Sequence, residues 1–159
     1  MSENTNSDFK TVRGYQTANR QNGQLTSALE DYLEMTYRLC QKNEYTRIGI
    51  LSEHLNVRPS SVSKMIYKLA ALGYLKYNRY EIIQLTDAGQ EVGEYLLKRH
   101  ETIERFLNLL GSSNPLEETE LMEHSLDVST VSNINTLLEF FQENEGVQNS
   151  YNLFKAQKK

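Results

Sequence analysis

The sequence predicts a mainly α-helical chain, with one short hairpin set among amphipathic helices. Apolar residues recur at three- and four-residue spacing through most of 26–143, the period of a helix with one buried face. The one run with strand character, 75–85, is short and aromatic or β-branched. The chain has 159 residues, 38% hydrophobic, with 8 Gly and 2 Pro. That length is enough to bury a core and corresponds to one domain or two small ones, at roughly 100–200 residues each.

Residues 1–24 are polar, hold Lys10, Arg13 and Arg20, and are expected to form a flexible arm. A first helix fits 26–42, with Leu29, Tyr32, Leu33, Thr36, Tyr37 and Cys40 on one face and Asp31 and Glu34 beside it. A shorter helix carries Ile48, Leu51 and Leu55, and Asn56 suits the left-handed residue that ends it. The next begins at Pro59, where the missing N–H costs nothing. Val62, Met65, Ile66 and Leu69 form its buried stripe, leaving Ser60, Ser61, Ser63, Lys64 and Lys68 outward. After Gly73 come strands at about 75–78 and 82–85, around a tip at Asn78 and Arg79. Thr86-Asp87 opens a long helix to about Leu110, striped by Val92, Tyr95, Leu96, Ile103, Phe106, Leu107 and Leu110. The loop 111–115 stops it. A helix of about ten residues holds Glu120, Glu123 and His124, and a last helix runs from about Ser129 to Glu143. Residues 146–159 read as a frayed tail.

Helix, tight turn, second helix and two-stranded wing make a winged helix-turn-helix, expected over 25–90. A helical domain is expected over 91–145. The net charge of −4 and pI near 5.4 argue against a protein that coats nucleic acid by bulk charge. The signs are segregated, however. From Arg58 to Arg79 the bases are Arg58, Lys64, Lys68, Lys76 and Arg79, with no acid among them. From Leu116 to Leu126 stand Glu117, Glu118, Glu120 and Glu123, with no Lys or Arg. Small hydroxyls and lysines on the second helix suit close approach to a major groove. Arg58, Pro59, Ser60, Ser61, Ser63, Lys64, Lys68 and the wing's Arg79 are therefore the expected contacts to double-stranded DNA.

A second constellation is made of oxygen and nitrogen donors. Glu120, Glu123 and His124 stand at i, i+3 and i+4, so a continuous helix projects all three from one face. Asp31 and Glu34 make a similar pair, and His100 lies on or beside the stripe of the long helix. Carboxylates and imidazoles without a thiol form a hard donor set, which favours Mn(II) or Fe(II) and still lets Zn(II) compete. The bland alternative is a set of surface carboxylates and a satisfied core histidine. His54 reads as a surface residue and Cys40 as a small core residue. One cysteine excludes an internal disulfide framework and a Cys-based zinc site. No run approaches the ~18 apolar residues of a membrane span. The first residues lack the apolar core of a signal peptide, so a cytoplasmic protein is expected.

The run Val57-Arg-Pro-Ser-Ser-Val-Ser-Lys-Met-Ile-Tyr-Lys-Leu69 is followed in order by Gly73-Tyr-Leu-Lys-Tyr77, Leu85-Thr-Asp-Ala-Gly89 and Lys98-Arg-His100. With Leu29-Glu-Asp-Tyr-Leu-Glu34 and Glu120-Leu-Met-Glu-His124, this closely resembles the diphtheria toxin repressor family of metal-dependent regulators. Within the family it is most similar to the shorter, manganese transport regulator-like branch. The resemblance covers about 25–145. It implies a homodimeric repressor of metal-uptake genes that binds a palindromic operator when loaded with metal and dimerises through its C-terminal helices. It also implies a binuclear site with Asp31, Glu34, His100, Glu120, Glu123 and His124 as ligands. The iron-sensing branch has methionine where this chain has Asp31 and cysteine where it has Glu120, so the resemblance favours Mn(II) over Fe(II) or Zn(II).

Other classes make different demands. A di-metal enzyme also gathers carboxylates and histidines, but no nucleophile or phosphate-binding loop is visible, and the basic helix-turn-helix would go unused. A repressor sensing an organic ligand would be indifferent to chelator. A structural DNA-binding protein would show little sequence specificity. The expected protein is no enzyme, takes no organic substrate and has no membrane partner.

Overall fold

The computed structural model describes residues 25–159, so the arm expected over 1–24 lies outside the described residues. Helix α1 (Ser27–Asn43) starts where Thr26 Oγ1 accepts from the Leu29 N–H at 3.3 Å. It ends where Glu44 turns left-handed at φ 63°. Leu29, Tyr32, Leu33, Thr36, Tyr37 and Cys40 are all buried along it, as their spacing requires. Helix α2 (Ile48–Leu55) follows strand β1 (Thr46–Arg47) and stops at Asn56, left-handed at φ 53°. Val57 N–H then reaches the Ser52 carbonyl at 3.2 Å.

Helix α3 (Pro59–Ala71) has Pro at its first position and buries Val62, Ile66 and Leu69. Met65 is half-buried beside them. Gly73, at φ 88°, closes α3 with two bonds, Gly73 N–H to Ala70 O and Tyr74 N–H to Leu69 O, both 3.0 Å. Strands β2 (Leu75–Tyr77) and β3 (Ile82–Leu85) pair antiparallel with Lys76 opposite Gln84. The connecting turn is held by Asn78 Oδ1, which accepts from Tyr80 N–H at 2.9 Å and Ile82 N–H at 3.2 Å.

β1 adds to the other edge of β3, with Thr46 opposite Ile83, giving the order β1-β3-β2. The two-stranded wing read from the sequence is therefore three-stranded. Two residues carry no periodicity from which β1 could be read. Leu33, Leu51, Val62, Ile66, Leu69 and Ile83 are fully buried and join the α1–α3 helices to the sheet. Each contributes roughly 1.5–3 kcal/mol of apolar burial.

Helix α4 (Asp87–Leu110) begins after Thr86, whose Oγ1 accepts from Gly89 N–H at 3.1 Å and donates to Gly73 O at 2.6 Å. Two glycines in its first turns permit close approaches. A Cβ on Gly89 would lie 1.9 Å from Tyr74 O, and one on Gly93 would lie 2.6 Å from Tyr37 Cβ.

The chain divides into two compact units, at Lys98 and Arg99. In the second, α4 ends at Gly111 (φ 82°). Helix α5 (Pro115–Met122) follows, then a 3-10 turn (Glu123–Ser125), α6 (Val128–Glu143) and α7 (Glu145–Gln157). Two expectations are corrected here. The helix bearing Glu120 stops at Met122, so Glu123 and His124 sit on a tighter 3-10 turn and not on a continuous α-helix with Glu120. Residues 146–159 are no frayed tail: 145–157 are helical. The Lys155 ammonium donates to the Leu110 carbonyl, and Tyr151 meets the Phe141 ring edge-on at 5.6 Å. Leu110, read as a stripe residue, is 45% exposed, and Leu137 on α6 is 42% exposed. Among the described residues, no helix is long and apolar enough to cross a membrane.

Candidate functional site

The basic face lies wholly in the first unit. Arg58, Pro59, Ser60, Ser61, Lys64 and Lys68 are exposed on and before α3, Ser63 is half-buried, and Arg79 is exposed at the wing turn. Ser63, read as facing outward, is thus the one of the eight that is not fully exposed. Side chains that the sequence reading passed over extend this face. Tyr67 is 63% exposed on α3, its ring edge-on to Tyr77 of the wing at 5.2 Å. Arg47 on β1 donates from Nη1 to the Tyr80 carbonyl at 3.3 Å. Arg79 donates to the Tyr80 hydroxyl at 2.9 Å and lies over its ring. A sequence signal existed in Tyr67, which falls at i+3 from Lys64. Arg47 had none, because it reaches the wing only through the β1–β3 pairing.

Within the first unit, Asp31 is exposed on α1. Glu34 is half-buried one turn on, with Oε1 3.4 Å from the Arg38 guanidinium. Within the second unit, Glu123 is 3% exposed and forms the hub. His100 Nδ1 lies 2.9 Å from Glu123 Oε2, and His124 Nε2 lies 3.7 Å from Glu123 Oε1. A carboxylate accepts, so His100 carries a proton on Nδ1. Its Nε2 faces Glu104 Oε2 at 3.6 Å. Glu120 is exposed on α5. Arg99, given no role of its own within the Lys98-Arg-His100 run, is 3% exposed and donates from Nη2 to His124 Nδ1 at 3.3 Å.

The donors in this half are oxygens and imidazole nitrogens. The second unit contains no cysteine, and the one thiol, Cys40, is buried on α1 beside the Ile83 carbonyl. A buried carboxylate that fixes the tautomer of a neighbouring histidine fits a divalent cation of hard or borderline character.

The comparisons with known proteins agree with both halves. Residues 24–82 match the family model of the iron dependent repressor N-terminal DNA binding domain. Residues 86–149 match that of the iron dependent repressor metal binding and dimerisation domain. The chain belongs to the iron dependent repressor family. It is a metal-dependent transcriptional repressor and not an enzyme.

Among its relatives, the HTH-type transcriptional regulator MntR of Geobacillus kaustophilus (strain HTA426) is 40% identical over 76% of this repressor and 86% of its own length. MntR of Oceanobacillus iheyensis (strain DSM 14371 / CIP 107618 / JCM 11309 / KCTC 3954 / HTE831) is 37% identical over 76% of this repressor and 83% of its own length. Among solved structures, the manganese regulator SloR superposes with a TM-score of 0.63 at 29% identity, over 70% of this repressor. The metal-dependent transcriptional regulator MtsR gives 0.65 at 26%, over 73%. The repressor spans about half of those two chains, 54% and 55%.

Proposed function

We propose that the repressor is activated by Mn(II), bound by Asp31, Glu34, His100, Glu120, Glu123 and His124 acting as one binuclear site. The observation that carries the choice of metal is the donor set. All six are carboxylates or imidazoles, and the positions that would soften the site, Asp31 and Glu120, are hard oxygens. The regulator names of its relatives support the same reading.

Unloaded, Asp31, Glu34, Glu120 and Glu123 repel one another, as like charges in one site do. Bound, the metal supplies the positive charge that these carboxylates share. Ligands from α1 and from the second unit then couple the basic face to the dimerisation domain. Affinity for DNA rises through preorganisation.

The repressor acts as a homodimer built on α4 and α6. The exposed Leu110, Leu137 and Phe140 support an apolar interface there. Two copies present two α3 helices, which need a separation near ~34 Å to enter successive major grooves of a palindromic operator. Arg58, Pro59, Ser60, Ser61, Ser63, Lys64 and Lys68 approach one groove, and Arg79 an adjacent phosphate or minor groove.

The test is a titration of Mn(II), Fe(II) and Zn(II) into chelator-treated protein, reading affinity for DNA of a metal-transporter promoter or its own promoter region. Mn(II) is expected to tighten binding most. Glu123→Ala is expected to lose that tightening while retaining its fold by circular dichroism. Equal affinity with and without every metal overturns the reading.

A further inference from the structure

Arg99 is a buried cation that the proposed function does not use. It sits one residue before His100 on α4, is 3% exposed, and reaches across to the 3-10 turn, where it donates from Nη2 to His124 Nδ1 at 3.3 Å. A guanidinium has five donors and no acceptor. Neutral imidazole has one nitrogen with a lone pair and one with a proton. Arg99 therefore takes up the single lone pair of His124, at Nδ1, and places the proton on Nε2, on the side of Glu123 Oε1.

A metal ion needs that same lone pair. Ligation through Nδ1 requires the position that the guanidinium holds. Ligation through Nε2 requires a proton on Nδ1, where it would oppose the N–H of Arg99, donor against donor. His100 is the contrast within the same cluster. Its Nδ1 faces the Glu123 carboxylate at 2.9 Å, an acceptor, so a proton on Nδ1 already suits ligation through Nε2.

We infer that Arg99 is a resident competitor of the metal: its hydrogen bond to His124 and ligation by His124 are mutually exclusive, so loading must turn the guanidinium aside. The inference rests on the reading of His124 as a ligand. The contact sets the metal concentration at which the repressor responds. It satisfies His124 when metal is scarce, and it weakens metal binding by the work of breaking it.

The experiment uses the full chain, with Mn(II) affinity read by calorimetry in the native protein, Arg99→Leu, His124→Ala and the double variant. Arg99→Leu is expected to bind Mn(II) about tenfold more tightly, the order of one charge-assisted hydrogen bond. In the His124→Ala background most of that gain should vanish. The tautomer gives a second readout that needs no variant. Nitrogen-15 correlation spectra of the metal-free native protein should show His124 with its proton on Nε2, and Zn(II), which is diamagnetic, should abolish that pattern. An Nδ1–H tautomer in the metal-free protein overturns the inference. So does an undiminished gain in the double variant. If His124→Ala weakens Mn(II) binding but Arg99→Leu does not strengthen it, the inference alone fails. If His124→Ala binds as tightly as the native chain, the ligand reading of His124 fails with it.

Discussion

Cys40 sits on the buried face of α1, its thiol towards the Ile83 carbonyl at 3.9 Å. Burial pushes its pKa up to about 11, from an ordinary value of 9.0. A thiol whose folded pKa is raised favours the neutral form. Its contribution to stability is complete below the unfolded pKa and is lost as pH rises from about 9 through about 11. Tyr32, Tyr74 and Tyr77 are raised by burial too and act in the same direction at still higher pH. Urea unfolding at pH 7 and at pH 10.5 should therefore show a fall in stability that is smaller in Cys40→Ala, because only the native chain holds this thiol. An identical fall in both would remove Cys40 from the account. The same burial should make alkylation of the native thiol slow at pH 8 and fast in urea.

Helices were legible where one face is buried and the other is wet. The stripe of α1, the Asn56 stop of α2 and the Pro59 start of α3 all follow from apolar spacing and end chemistry. Helix α7 was not legible: none of its residues is buried, and Gly146, Asn149, Ser150 and Asn152 have low intrinsic helix propensity. What fastens it is a side chain to a helix end: the Lys155 ammonium on the Leu110 carbonyl that ends α4, where the macrodipole also favours a cation. Lys155→Met removes the charge and keeps the length. Chymotrypsin should then cleave α7 at Tyr151 and Phe154 several-fold faster, with the rest of the chain intact. Unchanged cleavage would mean that the Phe141–Tyr151 ring contact suffices. The end of α5 was illegible for a related reason. A 3-10 turn and an α-helix read alike over three residues.

Across the whole molecule the charge is divided: bases without acids from Arg58 to Arg79, acids without bases from Leu116 to Leu126. A net charge of −4 hides a DNA-binding face that should behave as a local polyelectrolyte surface. Lys64→Ala should weaken binding to specific and unrelated DNA alike. It should also reduce the slope of log affinity against log salt by about 0.9 for each phosphate that is no longer neutralised. A loss confined to the specific site would instead make Lys64 a reader of bases. Of the candidate metal residues, the hard donor types could be read from the sequence, since they are identities at helical spacings. The hydrogen bonds that set the tautomers of His100 and His124 could not, because they depend on where Glu123 and Arg99 are buried.

Gly89 and Gly93 stand one turn apart near the start of α4, each facing a neighbour too close for a methyl group. Each costs the helix about 1 kcal/mol of intrinsic propensity relative to alanine. The first two turns of α4 are therefore helical because α1 and the Tyr74 turn hold them so, and amide hydrogen exchange there should report the integrity of the winged unit before any other part of that helix responds.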